Sequence, residues 1–518
     1  MTGPETEVVR MLAWLRERAG ASGRFGDLEL DSRRVQPGDV FVALPGVVAG
    51  GNDGRRHLQS ARERGAAAAL VEADGFVGSK VELPILPVRG LRPLLGLLAA
   101  QYYGRPGEAM QVVGVTGTNG KTSTAFWIAQ VLSRAGTRCA VLGTVGRGFP
   151  DAALADSALT TPDAIALQRE LRRLQDAGAR ALAMEVSSIG LDQDRVNGMR
   201  FDVAAFTNLT RDHLDYHGSM AAYEAAKGRL FDWPTLKAAV LNLDDPAGRR
   251  LSSRLAARAR GGALELTGYT AAVDGPGAGE TGALSCLLRA REIRAGADGL
   301  GFTVQCGQSE YRVDAPLFGT FNVSNLLATF GAAMACGVDL PTACGAAPLL
   351  VPPPGRMQRV TLAAGEEPLL VVDYAHTPDA IEQALRALRP QAQARGGRLW
   401  IVFGAGGDRD PGKRGPMGAA AGRHADRIVV TSDNPRGEEP ATIVAAVAAG
   451  VANNASVERI VDRAEAIAHA VAAADARDVV LIAGKGHEAT QEIGGVKRPF
   501  SDVEQARRAL ALRAGVTC

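Results

Sequence analysis

The chain has 518 residues, of which 46% are apolar and 5% aromatic, and its 58 Lys and Arg nearly balance 56 Asp and Glu. That length predicts roughly three domains of about 150 residues each, all with enough apolar content to bury a core. A formal charge of +2 without a long basic run excludes the electrostatic footprint of a nucleic-acid binder.

The start, Met1 to Arg10, is polar and acidic and lacks the layout of a secretory signal. No apolar stretch reaches the length of about 18 residues that a spanning helix needs, so no membrane insertion is expected. Cys139, Cys286, Cys306, Cys336, Cys344 and Cys518 are scattered without a C-x-x-C pair. Reduced, buried thiols in a cytoplasmic protein are expected, rather than structural zinc or a disulfide framework. In the first hundred residues, Val40 to Leu44 and Ala67 to Val71 read as strands, and Leu94 to Tyr103 as a packed helix. Tyr103-Gly-Arg-Pro-Gly107 is a turn-rich break.

Next comes the most informative stretch, Gly114 to Ser123. The run Gln111 to Val115 predicts a buried strand, Gly117 to Gly120 a glycine loop, and Lys121 to Ala135 a helix with Ala125, Phe126, Ile128, Ala129 and Leu132 on its apolar side. Strand, loop and helix together aim free backbone N–H groups and a positive helix end at an anion. Gly117, Thr118, Asn119, Gly120, Lys121, Thr122 and Ser123 thus form a predicted triphosphate cradle. Lys121, expected on the loop surface, supplies a mobile charge and Thr122 a hydroxyl for Mg²⁺. The spacing is G-x-x-G-K-T, shorter than the usual phosphate loop, because Val115 stands where the first glycine usually lies.

Ala181 to Val186, Val203 to Thr207 and Ala238 to Leu243 predict further buried strands, and Tyr269 to Gly301 a region able to hold β-hairpins. Five polar groups punctuate this part. Thr160-Thr161-Pro162-Asp163 fits either a helix start capped by Thr161 or a site. Glu185 is a carboxylate at a strand end, a candidate Mg²⁺ ligand beside a phosphate loop. Phe206 to His217 is dense in polar side chains, including Asp212, His213 and Asp215. Lys227 follows on a predicted helix, and Asn242 to Asp245 suits an Asx turn or nucleotide contacts. Val351-Pro-Pro-Pro-Gly355 is a second break. Beyond it Leu369 to Asp373, Leu399 to Phe403, Arg427 to Thr431 and Val479 to Ala483 predict four strands that end in polar loops, where a doubly wound sheet places its ligands.

These groups, in this order, resemble the Mur ligase family of ATP-dependent amide-forming enzymes. The resemblance runs from Leu30 to about Asp502. It is carried by T-G-T-N-G-K-T at 116 to 122, T-T-P at 160 to 162, M-E-V-S-S at 184 to 188, D-H-L-D at 212 to 215, N-L-D-D at 242 to 245 and F-N-V-x-N-x-L-A at 321 to 328. It continues through P-G-R-M at 354 to 357, D-Y-A-H-T-P at 373 to 378, G-G-D-R-D at 406 to 410, D-N-P-R at 433 to 436 and G-K-G-H-E at 484 to 488. Ile189 and Leu159 depart from it, standing where relatives often have His and a polar residue.

The resemblance implies an α/β chain of three domains: a UDP-substrate-binding domain at 1–104, a central ATP-binding domain with a P-loop ATPase-like parallel sheet at 105–350, and a C-terminal Rossmann-like amino-acid-binding domain at 351–518. It implies ATP and Mg²⁺, with meso-2,6-diaminopimelate added to UDP-N-acetylmuramoyl-L-alanyl-D-glutamate through an acyl phosphate in cytoplasmic peptidoglycan precursor synthesis. Leu30, Ser32, Val47, Val48 and Ala49 would meet the uridine end, and Thr160, Thr161, Ser187, Gln193 and Arg195 the muramoyl-dipeptide. Asn322, Arg356 and Asp373 would face the adenosine side of ATP. Thr122, Glu185, His213 and Lys227, the last carbamylated by CO₂, would hold metal, and Lys121, Lys227, Glu185 and His213 form the expected catalytic set. Arg409, Asp433, Asn434, Pro435, Arg436, Gly484 and Glu488 would take the diaminopimelate, with Arg436 offering a fork to its distal carboxylate. Two rivals are a lysine-adding or folylpolyglutamate-type ligase of the same superfamily, and a P-loop switch that ligates nothing.

Overall fold

The structure, a computed structural model, describes residues 3–18, 25–46, 52–157, 159–272, 282–296, 299–362, 367–451 and 456–515. Three sheets follow one another along the chain. The first is parallel and four-stranded, in the order Leu28–Glu29, Val40–Ala43, Ala68–Glu72, Ile85–Val88. The helices Pro4–Arg18 and Leu91–Tyr102 cover one face, burying Val8, Met11, Leu12, Leu91, Leu95 and Leu98 with Val40, Val42 and Leu70. At the break that follows, Gly104 and Arg105 both take positive φ, which ends the helix and turns the chain.

The second sheet has ten strands. From edge to edge they are Ser309–Ala315, Gly299–Cys306, Cys286–Gly296, Glu265–Thr270, Ala238–Asn242, Val203–Phe206, Gln111–Thr116, Ala181–Glu185, Cys139–Gly143 and Gly146–Gly148. The six strands from Glu265–Thr270 to Cys139–Gly143 are mutually parallel, and the strands from Cys286 to Ala315 form antiparallel hairpins, within the region expected to hold them and just past it. Helices cover both faces of the parallel part, so its strands are apolar throughout instead of alternating. Val113 and Val115 pack with Phe126, Ile128 and Leu132 of the helix Lys121–Arg134 and with Val323, Leu327 and Phe330 of the helix Phe321–Ala335. Val112 points the other way, toward Leu171, Leu182 and Phe201.

The third sheet runs Gln358–Val360, Leu369–Asp373, Val479–Ala483, Leu399–Phe403, Arg427–Val430, Val457–Arg459; all but the first strand are parallel. The break at Val351 is clamped to the helix Lys121–Arg134. Trp127 Nε1 and Gln130 Nε2 both donate to the Val351 carbonyl (2.9 and 3.0 Å), and Gln130 Oε1 accepts from the Val351 N–H (3.0 Å). This clamp sets the entry to the third sheet beside the glycine loop. Among the described residues five cysteines are free; Cys139 and Cys344 are buried, whereas Cys286, Cys306 and Cys336 are only half-buried. Cys518 lies outside the described residues.

Candidate active site

The glycine loop leaves the strand Gln111–Thr116 at its carboxyl end. Val115 is buried within that strand, paired with Glu185 and Ala205, so the turn starts only at Gly117. Gly117 has φ +149° and Gly120 φ +82°; a side chain would collide with Thr207 Oγ1 at the first and Asn325 Oδ1 at the second. The loop is braced from the neighbouring strand end. Thr118 N–H donates to the Asn208 carbonyl (2.8 Å), Asn119 N–H to Asn208 Oδ1 (2.9 Å), and Thr207 Oγ1 to the Asn119 carbonyl (2.6 Å). The helix that begins at Lys121 then presents its first N–H groups, which have no partner within the helix, to the space above. Lys121 is not extended on the surface as expected. Its half-buried ammonium folds back onto the carbonyls of Gly117 (2.9 Å) and Thr118 (2.8 Å), because a lysine directly after the loop, at the first position of the helix, lies within reach of carbonyls three and four residues back.

A cavity of about 540 Å³ opens over this loop. Thr118 to Ser123, Thr144, Thr160, Glu185, Ser187, His213, Lys227 and Asn322 line it from the second sheet, and Pro352, Arg356, Met357 and Asp373 from the third. Glu185 is 1% exposed yet accepts three hydrogen bonds: from Thr122 Oγ1 (3.0 Å), Thr144 N–H (2.7 Å) and Thr144 Oγ1 (3.2 Å). Lys227 is 2% exposed, donates to the Gly117 carbonyl (2.8 Å) and lies 4.4 Å from the ring centre of Tyr223. Burial, and then the charge of Lys121, hold its ammonium down to about 6. His213 takes φ +50° and sits edge-on to Tyr223 with its ring partly exposed.

Among the described residues no three His, Cys, Asp or Glu side chains cluster to hold a metal. The donor set nevertheless fits Mg²⁺, which takes one or two protein oxygens and completes its shell with water and substrate phosphates. Thr122 and Glu185, already touching at the cavity wall, are such a pair. Lys227 as an amine does not fit a cation.

Thr160 Oγ1 lies 3.0 Å from Thr144 Oγ1. Thr161 does not cap the following helix. Asp163 does, accepting from Ile165 N–H (3.0 Å) and Ala166 N–H (2.9 Å). Thr161 is buried and ties two segments together, donating to the Glu185 carbonyl (3.1 Å) and accepting from Ser187 N–H (3.0 Å). Its carbonyl accepts from Arg195 Nη1 (3.0 Å), and Arg195 also grips Gln193 Oε1. Gln193 and Arg195 line a small cavity of about 170 Å³ together with Leu30 and Leu159. Leu30 and Ser32, with Asp31, Arg33 and His57, line a third one of about 790 Å³ beside the first sheet. Val47, Val48 and Ala49 lie outside the described residues. Asn242 to Asp245 form an Asx turn and a helix cap away from the 540 Å³ cavity: Asn242 Oδ1 accepts from Asp244 N–H (3.0 Å), and Asp245 caps Pro246–Arg260.

Asp373 spends its carboxylate on backbone, accepting from Met357 N–H and Ala375 N–H (2.8 Å each), and so fixes the P-G-R-M loop at the cavity rim. Arg356 stacks 4.7 Å above the Tyr374 ring, and its Nε is buried without a partner among the described residues. Asn322 Nδ2 donates to the Phe318 carbonyl (2.7 Å), and its Oδ1 accepts from Asn325 Nδ2 (2.9 Å).

At the carboxyl ends of three parallel strands of the third sheet a second polar cluster forms. Asp433 is 7% exposed, and burial pushes its carboxyl upward. Gly484, at φ +119°, passes so close that a side chain there would run into Asp433 Oδ2. Asn434 Nδ2 donates to Glu488 Oε2 (2.8 Å). Arg436 takes φ +53° and donates from Nη1 to the Gly407 carbonyl (2.7 Å), while Arg409 and Arg436 flank Gly406. Two residues not foreseen as site residues hold this cluster. Arg463 is fully buried, paired with Asp502 through two 2.7 Å bonds, and donates to the carbonyls of Ser432 (3.3 Å) and Ala483 (3.0 Å). It thereby ties together the strand ends that carry Asp433 and Gly484. Lys485, inside the G-K-G-H-E motif, is the other.

Comparison with known proteins adds the following. The family models described as "Mur ligase family, catalytic domain", "Mur ligase middle domain" and "Mur ligase, glutamate ligase domain" match residues 26–103, 115–333 and 355–486. The chain is 53% identical over 507 residues to the UDP-N-acetylmuramoyl-L-alanyl-D-glutamate--2,6-diaminopimelate ligase of Ralstonia nicotianae, covering 97% of this chain and 96% of the relative. It is 49% identical over 487 residues to the protein of that name from Pseudomonas aeruginosa, covering 94% and 95%. A solved structure of a ligase of that name is 36% identical, with a TM-score of 0.65 over 95% of both chains.

Proposed function

The chain belongs to the Mur ligase family, and from that premise we propose how its residues perform ligation. It is an ATP-dependent ligase that adds meso-2,6-diaminopimelate to the D-glutamate of UDP-N-acetylmuramoyl-L-alanyl-D-glutamate, a step of peptidoglycan precursor synthesis. The observation that carries the mechanism is one cavity walled by the phosphate loop, by Thr160 and Ser187, and by Arg356 and Asp373 of the third sheet. Phosphate donor and acyl acceptor meet there. The three domains divide near 104 and near 350. No helix among the described residues is long and apolar enough to cross a membrane, which suits a cytoplasmic step.

The D-glutamate carboxylate attacks the γ-phosphorus of ATP, releasing ADP and leaving an acyl phosphate. An amine of diaminopimelate attacks the acyl carbon; the C–O bond to phosphate breaks, the amine loses a proton, and the amide forms. The first step brings two anions together, so positive charge fixed in advance is the main requirement. Lys121 and the N–H groups of Gly120 to Ser123 supply it at the outer phosphates. Thr122, Glu185, His213 and Lys227 as its carbamate would hold Mg²⁺, which would supply positive charge to the reacting anions. Lys227 suits carbamylation because burial keeps its amine largely neutral near pH 7, and a neutral amine is the form that adds CO₂. Thr160, Thr161, Ser187, Gln193 and Arg195 hold the dipeptide end, and Leu30, Ser32 and the 47–49 segment the uridine end. Asn322, Arg356 and Asp373 form the adenosine side. Arg409, Asp433 to Arg436, Gly484 and Glu488 take the diaminopimelate.

The test is phosphate release by the purified protein with ATP and the UDP-muramoyl-dipeptide, across meso-diaminopimelate, L-lysine, L-ornithine and D-glutamate. Turnover that needs both the dipeptide and diaminopimelate is expected. Hydrolysis of ATP without either, or a preference for lysine, refutes the reading.

A further inference from the structure

Lysine is among the residues most rarely buried, yet Lys485 is 0% exposed. It leaves the end of the strand Val479–Ala483 between Gly484 and Gly486, both at positive φ (+119° and +55°), and this double turn directs its side chain inward. There its ammonium meets Asn434 Oδ1 at 3.0 Å and Glu488 Oε2 at 2.8 Å. Asn434 Oδ1 also accepts from Glu492 N–H (3.0 Å), and Asn434 Nδ2 donates to the same Glu488 Oε2 (2.8 Å). Lysine has only donors, so its position decides which end of the Asn434 amide is oxygen and which is nitrogen. It also takes up one oxygen of Glu488. The other oxygen, Oε1, has no hydrogen-bond partner among the described residues.

We propose that Lys485 is a positioning residue for the amino-acid substrate. It fixes the Asn434 amide and one Glu488 oxygen so that Glu488 Oε1 and the remaining Asn434 N–H are presented to a zwitterion bearing a distal ammonium and a carboxylate. The inference rests on the diaminopimelate reading and deepens it. Without Lys485 the Asn434 amide is held only by the Glu492 N–H and by a Glu488 carboxylate that has lost its cation, and a pocket that recognises by hydrogen-bond pattern is held less firmly in register. Glu488 would also lose its nearest counter-charge. Burial raises this carboxyl, and the hydrogen bond and charge of Lys485, with Asn434 and His487, pull it below the usual glutamate value. Tyr374, Asp433 and Arg463 are the other charged or titratable groups around it. Removing Lys485 therefore raises the pH at which Glu488 takes up a proton and ceases to attract an ammonium.

The experiment measures kcat and KM for meso-diaminopimelate between pH 4 and 9 for wild type, Lys485→Met, Lys485→Gln and the Lys485→Met/Glu488→Gln pair. In Lys485→Met the KM rises at least about tenfold and by more than kcat falls, and the acid limb of kcat/KM moves up by about one pH unit. Lys485→Gln, which keeps a donor without the charge, gives a smaller rise in KM and a smaller acid-limb shift in the same direction. In the paired variant no such shift remains, because no carboxylate is left to titrate. An unchanged acid limb, or a loss confined to kcat, overturns the inference; if the methionine variant does not unfold cooperatively, Lys485→Gln decides by the same criteria. Wild type that does not use diaminopimelate refutes the functional reading instead, so the two failures are distinguishable.

Discussion

Gly484→Ala separates the geometry of the amino-acid site from mere stability. Gly484 has φ +119°, a conformation open to glycine and scarcely to alanine. That strain alone costs about 1–3 kcal/mol, or a loss of roughly 3–10 °C in Tm for a domain of this size. The added methyl would also overlap Asp433 Oδ2 by about 1 Å relative to ordinary contact, and Asp433 is buried with little room to yield. A displacement of about 1 Å in a substrate-positioning group costs on the order of 10²-fold in rate. Gly337→Ala is the control. Gly337 has φ +93° with nothing within 4 Å, so it carries the strain without the collision. Both variants should lose comparable Tm, followed by circular dichroism on heating. Only Gly484→Ala should lose kcat/KM for meso-diaminopimelate, by about 100-fold, measured as coupled phosphate release well below the transition. If Gly484→Ala keeps kcat/KM within about threefold while losing Tm, Asp433 does not position the substrate and the argument fails.

Lys227→Ala should be nearly inactive and partly rescued by acetate, since a diffusible carboxylate can occupy the space of the proposed carbamate; full activity in the alanine variant removes the carbamate from the mechanism. Arg436→Ala should collapse a preference for meso-diaminopimelate over L-lysine of about 10⁴-fold, through loss of diaminopimelate turnover, because the guanidinium is the group proposed to match the second carboxylate. A variant that retains the preference refutes that role. Asp502→Asn leaves the fully buried Arg463 without its counter-charge and should cost about 3–5 kcal/mol in urea unfolding, with a raised KM for the amino acid. A loss under about 1 kcal/mol would show that the pair is not what joins the two strand ends.

Much of this molecule was legible in one dimension because the signals are local. The strand Gln111–Thr116, the glycine turn and the helix from Lys121 are dictated by a buried apolar run, two positions closed to side chains and helical spacing, all within some twenty residues. The same holds for the four main strands of the third sheet, whose continuous apolar runs reflect burial on both faces. Edge strands such as Gly146–Gly148 and Val457–Arg459 were not legible, since three residues, two of them half-buried, carry no period.

In the site the division follows the same logic. Residue type and spacing alone marked Lys121, Thr122 and Glu185 as phosphate and metal chemistry. They could not show that Thr161 bridges Glu185 and Ser187 while Asp163 caps the helix, because both residues are competent caps and only the neighbouring strand end decides between them. Nor could they show that Lys121 folds back onto its own loop, or that Lys485 and Arg463 are buried. A charged side chain reads as surface in a sequence, and it becomes interior only when partners distant in the chain, here Asn434 for Lys485 and Asp502 for Arg463, arrive to compensate the lost hydration. Local propensity and pattern settled the elements; the burial of Arg463 and Lys485 was decided by the tertiary fold, because only there do Asp502 and Asn434 arrive to help offset the cost of taking each charge out of water.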